Sequence, residues 1–351
     1  MNAITHSAVL AALSQVEDPD LKKDLVTLNM IRGLTIDGRR VAFTLVLTTP
    51  ACPLKDMIKN ACITAIKTLV SPEADVDVTV TAETRGADSG RFADVKNVVA
   101  VVSGKGGVGK STVAANLAVG LAQAGAQVGL LDADLYGPSV PIMFNLRGQQ
   151  PLIRSDNGKD RMVPFVRYGV RVMSIGFLVP EEQAVVWRGP MISKALQQLA
   201  FDSDWGALDY LIVDLPPGTG DIHITLAQQF QPRGVVVVTT PQPVALADAR
   251  KAAAMFRMPG VAAPILGVVE NMAFFVPPDM PDKTYYIFGS GGGKTLADEL
   301  GVPLLAQIPI TETVRSGGDT GRPVALAAKS PEGAAFVELA GNVARALAVL
   351  E

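Results

Sequence analysis

Cysteine is almost missing from this chain. Its 351 residues include only Cys52 and Cys62, too few for a disulfide framework. A basic balance is missing as well. The net charge is −3, which speaks against the basic face of a nucleic-acid binder. Met1 to Leu10 has neither a basic n-region nor a long apolar run, so no secretory signal is expected. The longest apolar runs are strand-length, such as Val235 to Val238, far short of the roughly 20 residues that span a bilayer. Internal repeats and low-complexity tracts are also lacking. These absences lead us to expect a cytoplasmic protein without nucleic-acid or membrane partners. Hydrophobic residues make up 48% and charged residues 19%, which allows a sizeable core. The length suffices for two domains.

The most informative stretch is Val98 to Thr112, V-V-A-V-V-S-G-K-G-G-V-G-K-S-T. Val98 to Val102 reads as a strand buried on both faces, as in a parallel sheet. Gly104 to Ser111 then satisfies G-x-x-x-x-G-K-[ST], the phosphate-binding loop. An alanine-rich helix with Leu117, Val119 and Leu121 follows and ends near Gly125. A triphosphate has to be approached by backbone N–H groups, and Gly104, Gly106, Gly107 and Gly109 clear side chains from that path and permit positive φ. The helix directs its N-terminal partial charge at the phosphates. Lys110 is expected to reach the β- and γ-phosphates, and the Ser111 hydroxyl to ligate Mg²⁺. Val108 and Thr112 complete the loop.

Two further strands end in carboxylates. Gln127 to Leu131 leads into Asp132-Ala133-Asp134-Leu135-Tyr136-Gly137-Pro138-Ser139. Carboxylates at the carboxyl end of a parallel strand lie where such sheets bind ligands. Asp134 is a candidate to orient an attacking water, and Asp132 to act through the Mg²⁺ shell. Solvated turn aspartates are the alternative. Tyr210 to Leu215 is an apolar strand ending in Asp214, a second Mg²⁺ candidate. It is followed by Pro216-Pro217-Gly218-Thr219-Gly220-Asp221, whose glycines allow it to move with a γ-phosphate. His223 reads as structural. Strands are expected over 170–175, 234–240, 264–270 and 304–309, a loop or hairpin over 147–165, and a helix opening at Val186 to Met191. Val269-Glu270-Asn271-Met272 stands where a GTPase would carry N-K-x-D. Without that Asp adenine is favoured, with Asn271 as the base-contacting candidate.

The first 85 residues read as a separate small α-β-β-α-β unit, followed by a polar linker over 86–97 and the larger domain over 98–351. In the small unit, Asp37-Gly38 signals a hairpin, and Val41, Phe43, Leu45 and Leu47 alternate. Cys52 precedes Pro53 at the expected start of a helix, where the helix dipole would lower its thiol pKa and favour metal or cluster contact. A half-buried structural cysteine fits the same position. Cys62 lines up with Ile58 and Ile66 and reads as core.

These motifs carry two resemblances. G-K-G-G-V-G-K-S-T resembles the deviant Walker A of MinD-like ATPases, in which the extra lysine, here Lys105, reaches the partner's phosphates across a nucleotide-sandwich homodimer. D-P-D-L with T-T-P-A-C-P-L-K-D is similar to the small iron–sulfur assembly domain of SufT- and PaaD-like proteins. With D-A-D-L-Y-G-P-S, D-L-P-P-G-T-G-D and E-N-M, nearly the whole chain resembles the Mrp/ApbC family. The resemblance implies an α/β P-loop NTPase of the MinD/SIMIBI type, with a mostly parallel doubly wound sheet preceded by a small α+β domain. It also implies slow hydrolysis of ATP with Mg²⁺, a homodimer holding a [4Fe–4S] cluster, and delivery of that cluster to apo-proteins or exchange with cluster-assembly proteins. The loop 311–323 resembles the family's segment closing over the base. W-R-G-P at 187–190 recurs in the family without a chemical role assigned.

The sequence departs from the family at one point. After E-N-M-A-F-F many relatives carry C-x-x-C, the usual cluster ligands. Here Pro277 and Met280 stand at those two positions, and neither supplies the thiolate a cluster needs. Three readings therefore stay open: a cluster carrier using Cys52 or a partner's thiols, an ATP-driven dimer switch with no cluster of its own, and a small-molecule kinase or ligase on the same fold. The C-terminal stretch from Gly333 has Arg345 as its only basic residue, which argues against membrane targeting.

Overall fold

A computed structural model describes residues 4–84, 86, 92, 94–135, 137–156, 158–178 and 189–350. The expected family segment at Trp187 and Arg188 lies outside the described residues. The chain divides into two compact units, Met1–Arg85 with Ala344–Glu351, and Gly86–Val343.

The first unit contains α1 (His6–Leu13), a short pair β1 (Glu17–Asp18) and β2 (Lys23–Asp24), then β3 (Ile31–Asp37), β4 (Arg40–Leu47), α2 (Lys55–Leu69) and β5 (Asp75–Ala82). β3 and β4 form an antiparallel hairpin, and β5 adds to β4 in parallel. The alternation along β4 sends Val41, Phe43 and Leu45 into the core. The i, i+4, i+8 spacing of Ile58, Cys62 and Ile66 places one buried face of α2 against them. Each such aliphatic side chain contributes on the order of 1.5–3 kcal/mol by leaving water.

The second unit is built on an eight-stranded sheet. Its elements are β6 (Val98–Val102), α3 (Lys110–Gln123), β7 (Val128–Asp132), α4 (Val140–Met143), a separate hairpin of β8 (Leu152–Asp156) and β9 (Lys159–Val163), β10 (Phe165–Arg167), β11 (Val170–Ser174), α5 (Gly189–Phe201), β12 (Tyr210–Asp214), α6 (Asp221–Phe230), β13 (Gly234–Thr239), α7 (Pro243–Met255), β14 (Ile265–Asn271), α8 (Gly292–Leu300), β15 (Leu304–Ile308), α9 (Glu312–Asp319) and α10 (Pro331–Ala348). The strand order is β10-β11-β7-β12-β6-β13-β14-β15, parallel throughout except that β10 runs antiparallel at one edge. β6, β7, β12 and β13 are buried along their whole length, as continuous apolar runs between two helical layers should be. β6 lies at the middle, between β12 and β13. Its carboxyl end therefore opens beside those of β7, β12 and β14, where this class of sheet binds ligands. Among the described residues no helix is long and apolar enough to cross a membrane.

Candidate functional site

The phosphate-loop motif joins β6 to α3. Gly107 and Gly109 take φ of +81° and +82°, conformations that residues with a Cβ rarely adopt. Gly104 is needed for a different reason than phosphate access. A Cβ there would lie 2.0 Å from the Asp248 backbone carbon on α7. At Gly109 a Cβ would strike the Asn271 amide. The loop is thus clamped between α7 and the tip of β14 before any ligand is considered.

Register brings the acids together. Asp214 on β12 pairs with Asp132 on β7, and Asp132 with Ser174 on β11. Lys110 reaches across from α3, with its ammonium in contact with Asp214 Oδ1, 3.3 Å from Asp134 Oδ2 and 3.3 Å from Ser111 Oγ. Burial pushes the Lys110 pKa down, but the Asp214 and Asp134 carboxylates outweigh it and hold the ammonium above its ordinary value. Asp214 is fully buried, and its Oδ2 has no hydrogen-bond partner. An orphaned buried carboxylate oxygen beside a hydroxyl, Ser111, suits a Mg²⁺ ion, which takes one or two protein oxygens and fills the rest of its shell with phosphates and water. Among the described residues no three His, Cys, Asp or Glu side chains converge as a metal-ligand set.

Asp132 is held by three donors. Its Oδ1 accepts from the Asp134 N–H at 3.1 Å, and its Oδ2 from the Val140 N–H at 3.2 Å and the Ser174 hydroxyl at 2.9 Å. Burial, reinforced by the Asp214 charge, raises its pKa to about 7. These bonds fix the turn that presents Asp134. Ser174 is the residue that sequence reasoning missed; only its place at the end of a strand signalled it. His223 is buried, with both ring nitrogens against backbone carbonyls of the segment after Asp214, Nε2 at 3.0 Å from Pro217 O and Nδ1 at 3.2 Å from Gly220 O.

Two adjoining cavities share Gly109, Thr112, Ser139 and Met143. The first, about 260 Å³, is lined by Lys105, Gly106, Gly107, Lys110, Ser111 and Asp134. The second, about 340 Å³, is lined by Asn271 and by apolar groups that include Ile142, Met272, Ile310 and Val314. The first is polar and backbone-lined, as phosphates require; the second suits a flat apolar ring. Asn271 donates its amide to the Val108 carbonyl at 2.8 Å, so it holds the loop from behind while lining the second cavity.

The expectation for Cys52 is corrected. α2 begins at Lys55, with Leu54 as N-cap, so Cys52 lies in the preceding turn rather than at the helix start. Burial raises its pKa, and the carboxylates of Asp18 and Asp20 add to the rise. Burial pushes Cys62 up to about 12. The thiolate is the reactive form. Native alkylation by iodoacetamide at pH 7.5 should therefore be slower at Cys52 than at a free thiol, with Cys62 unmodified until the protein unfolds. Peptide mass spectrometry over time reads this out, and Cys52 reacting faster than a free thiol would overturn it.

A family model described as NUBPL iron-transfer P-loop NTPase matches residues 94–344, and one described as iron-sulfur cluster assembly protein matches residues 6–83. The chain is 50% identical over 343 residues to an iron-sulfur cluster carrier protein of Deinococcus radiodurans, covering 98% of this chain and 95% of that one. It is also 50% identical over 335 residues to an iron-sulfur cluster carrier protein of Synechocystis sp., covering 94% of each. Among solved structures, the nucleotide-binding protein in complex with ADP from Archaeoglobus fulgidus is 37% identical, with a TM-score of 0.59, over 69% of this chain and 92% of that one.

Proposed function

The chain belongs to the NUBPL iron-transfer P-loop NTPase family, and from that premise we propose that it is an ATP-hydrolysing homodimer that carries iron–sulfur clusters to apo-proteins. The observation that supports this most is the grouping of Lys110, Ser111, Asp134 and the partnerless Asp214 Oδ2 at the mouth of a glycine loop. On binding, Lys110 exchanges its carboxylates for β- and γ-phosphate oxygens, and the N–H groups of residues 106–111 close on the same oxygens. Ser111 Oγ would ligate Mg²⁺ and Asp214 would hold it through water; the ion would offset the phosphate charge. Asp134, fixed by the Asp132 turn, orients the attacking water. Lys105, partly exposed, serves the nucleotide of the partner protomer. Asn271 contacts the base, and the lack of the N-K-x-D Asp after it favours adenine.

A second reading, a nucleotide-driven dimer switch that holds no cluster of its own, is favoured by one observation, Pro277 and Met280 in place of thiolates.

The test is Asp134→Ala. Removing a water-orienting carboxylate spares ATP binding and slows the chemical step. Turnover should fall about 100-fold or more, with ATP bound and the dimer accumulating in gel filtration. Phosphate release at saturating ATP and Mg²⁺ reads the rate, and unchanged turnover would remove Asp134 from the mechanism. Transfer of iron to an apo-acceptor, followed with and without ATP, separates the carrier from the switch.

A further inference from the structure

Glu270 is completely buried at the tip of β14, yet none of the roles above uses it. Its Oε2 accepts from the Gly293 N–H in the first turn of α8, and its Oε1 from the Gln307 amide at 2.8 Å. α8 has no cap of its own, since its N-cap is Gly291. The carboxylate therefore serves as a cap delivered from another strand, where the helix dipole favours a negative charge. Gly293 permits this approach, because a Cβ there would stand 2.6 Å from the Glu270 Cβ. Burying a carboxylate is costly, but Gly291 at φ +73° holds a backbone from which a Ser or Asp could not cap the helix without strain.

What the arrangement adds is a connection. The next residue, Asn271, holds the Val108 carbonyl of the phosphate loop. Between β14 and α8 runs the segment 276–291, with Met280, Tyr286 and Ile287 exposed. Phe275 and Tyr285 exchange backbone hydrogen bonds at 2.8 Å and close 276–284 into a loop, and the far end of the segment meets the β14 tip where Gly293 donates to Glu270. The strand tip thus grips the phosphate loop with one residue and, with its neighbour, the first turn of α8, into which the exposed segment leads.

We propose that Glu270 is a positioning residue that couples occupancy of the nucleotide cradle to the conformation of segment 276–291. The coupling rests on the cradle binding nucleotide as argued above. When the phosphate loop closes on phosphates, Val108 and Asn271 move together, the tip of β14 follows, and Glu270 transmits the shift to the start of α8. A ligand at one site biases the other only through such a shared element.

Hydrogen–deuterium exchange on the full-length protein tests this, with a non-hydrolysable ATP analogue and Mg²⁺ as probe. In the native protein the analogue should slow exchange about fivefold or more both in 104–112 and in 276–291. In Glu270→Ala the 104–112 protection should remain, with analogue affinity within about threefold, while the effect on 276–291 disappears. Glu270→Gln keeps an acceptor for Gly293 but loses the charge. It should retain about half of the 276–291 effect, and it carries the comparison if the alanine variant does not fold. Native protection of 104–112 without any at 276–291, or full coupling in the substituted proteins, would overturn the proposal. Absence of protection at 104–112 in the native protein would instead refute nucleotide binding itself.

Discussion

Lys110→Ala is expected to abolish ATP binding and hydrolysis together. The ammonium is the positive charge paired with both Asp214 and Asp134 beside the glycine loop. Without it the triphosphate would enter beside uncompensated carboxylates. Loss of charge-assisted hydrogen bonds to two phosphates is worth about 1.5–3 kcal/mol each, so affinity should drop by at least about 100-fold. The same substitution has a second consequence. Asp214 is fully buried, and removing the buried cation beside it costs about 3–5 kcal/mol of stability. Isothermal titration well below the unfolding temperature separates the two effects. Binding within threefold of native would show that the cradle does not use Lys110.

Lys105→Ala provides the contrast. Lys105 is partly exposed, and its carbonyl accepts the Ser103 hydroxyl at 3.0 Å, which the substitution leaves intact. ATP binding should stay measurable and hydrolysis should fall, because the lysine's proposed target lies on the partner. Equal loss of binding in both variants would end the cross-dimer role.

The parts of this molecule that were legible in the sequence are those where one physical demand dominates locally. Val98 to Val102 needs only burial on both faces to be read as a central strand. Asp214 ends such a strand and is visible as its one polar residue. The glycine loop is legible because phosphate approach forbids side chains. What was hidden depends on partners far along the chain. Gly104 answers to Asp248, Asp132 to Ser174, and Glu270 to Gly293. Composition around each of these residues carries no trace of the contact. The start of α2 was misplaced because Pro53 fits a first helical position, yet the chain spends Cys52 to Leu54 in a turn, with the Lys55 N–H donating to the Cys52 carbonyl. The antiparallel edge strand β10 was unreadable for a similar reason, since three residues carry too little pattern to reveal direction.

The cluster question turns on thiols, and replacing Pro277 and Met280 together with cysteine is expected to change the protein most visibly. The Met280 N–H donates to the Pro277 carbonyl at 3.1 Å, closing a turn that holds positions 277 and 280 near each other. Pro277 is half-buried and Met280 is 44% exposed, so the backbone of a two-cysteine site is present without its sulfurs. A [4Fe–4S] cluster takes four thiolates; in a dimer, two such turns would supply them. The native chain has no cysteine beyond residue 62. Cys62 is sealed in the core with its pKa near 12, and Cys52 is half-buried with its pKa raised. The proposed dimer would therefore offer two reluctant thiols, half of a ligand set. After anaerobic reconstitution it should show weak or absent iron–sulfur absorbance, and none in Cys52→Ser. Pro277→Cys with Met280→Cys should bind about four irons and four sulfides per dimer, whether or not Cys52 is present. A stable, stoichiometric [4Fe–4S] spectrum in native protein that survives Cys52→Ser would refute the ligand argument, because no thiolate outside the core would be left to hold the cluster.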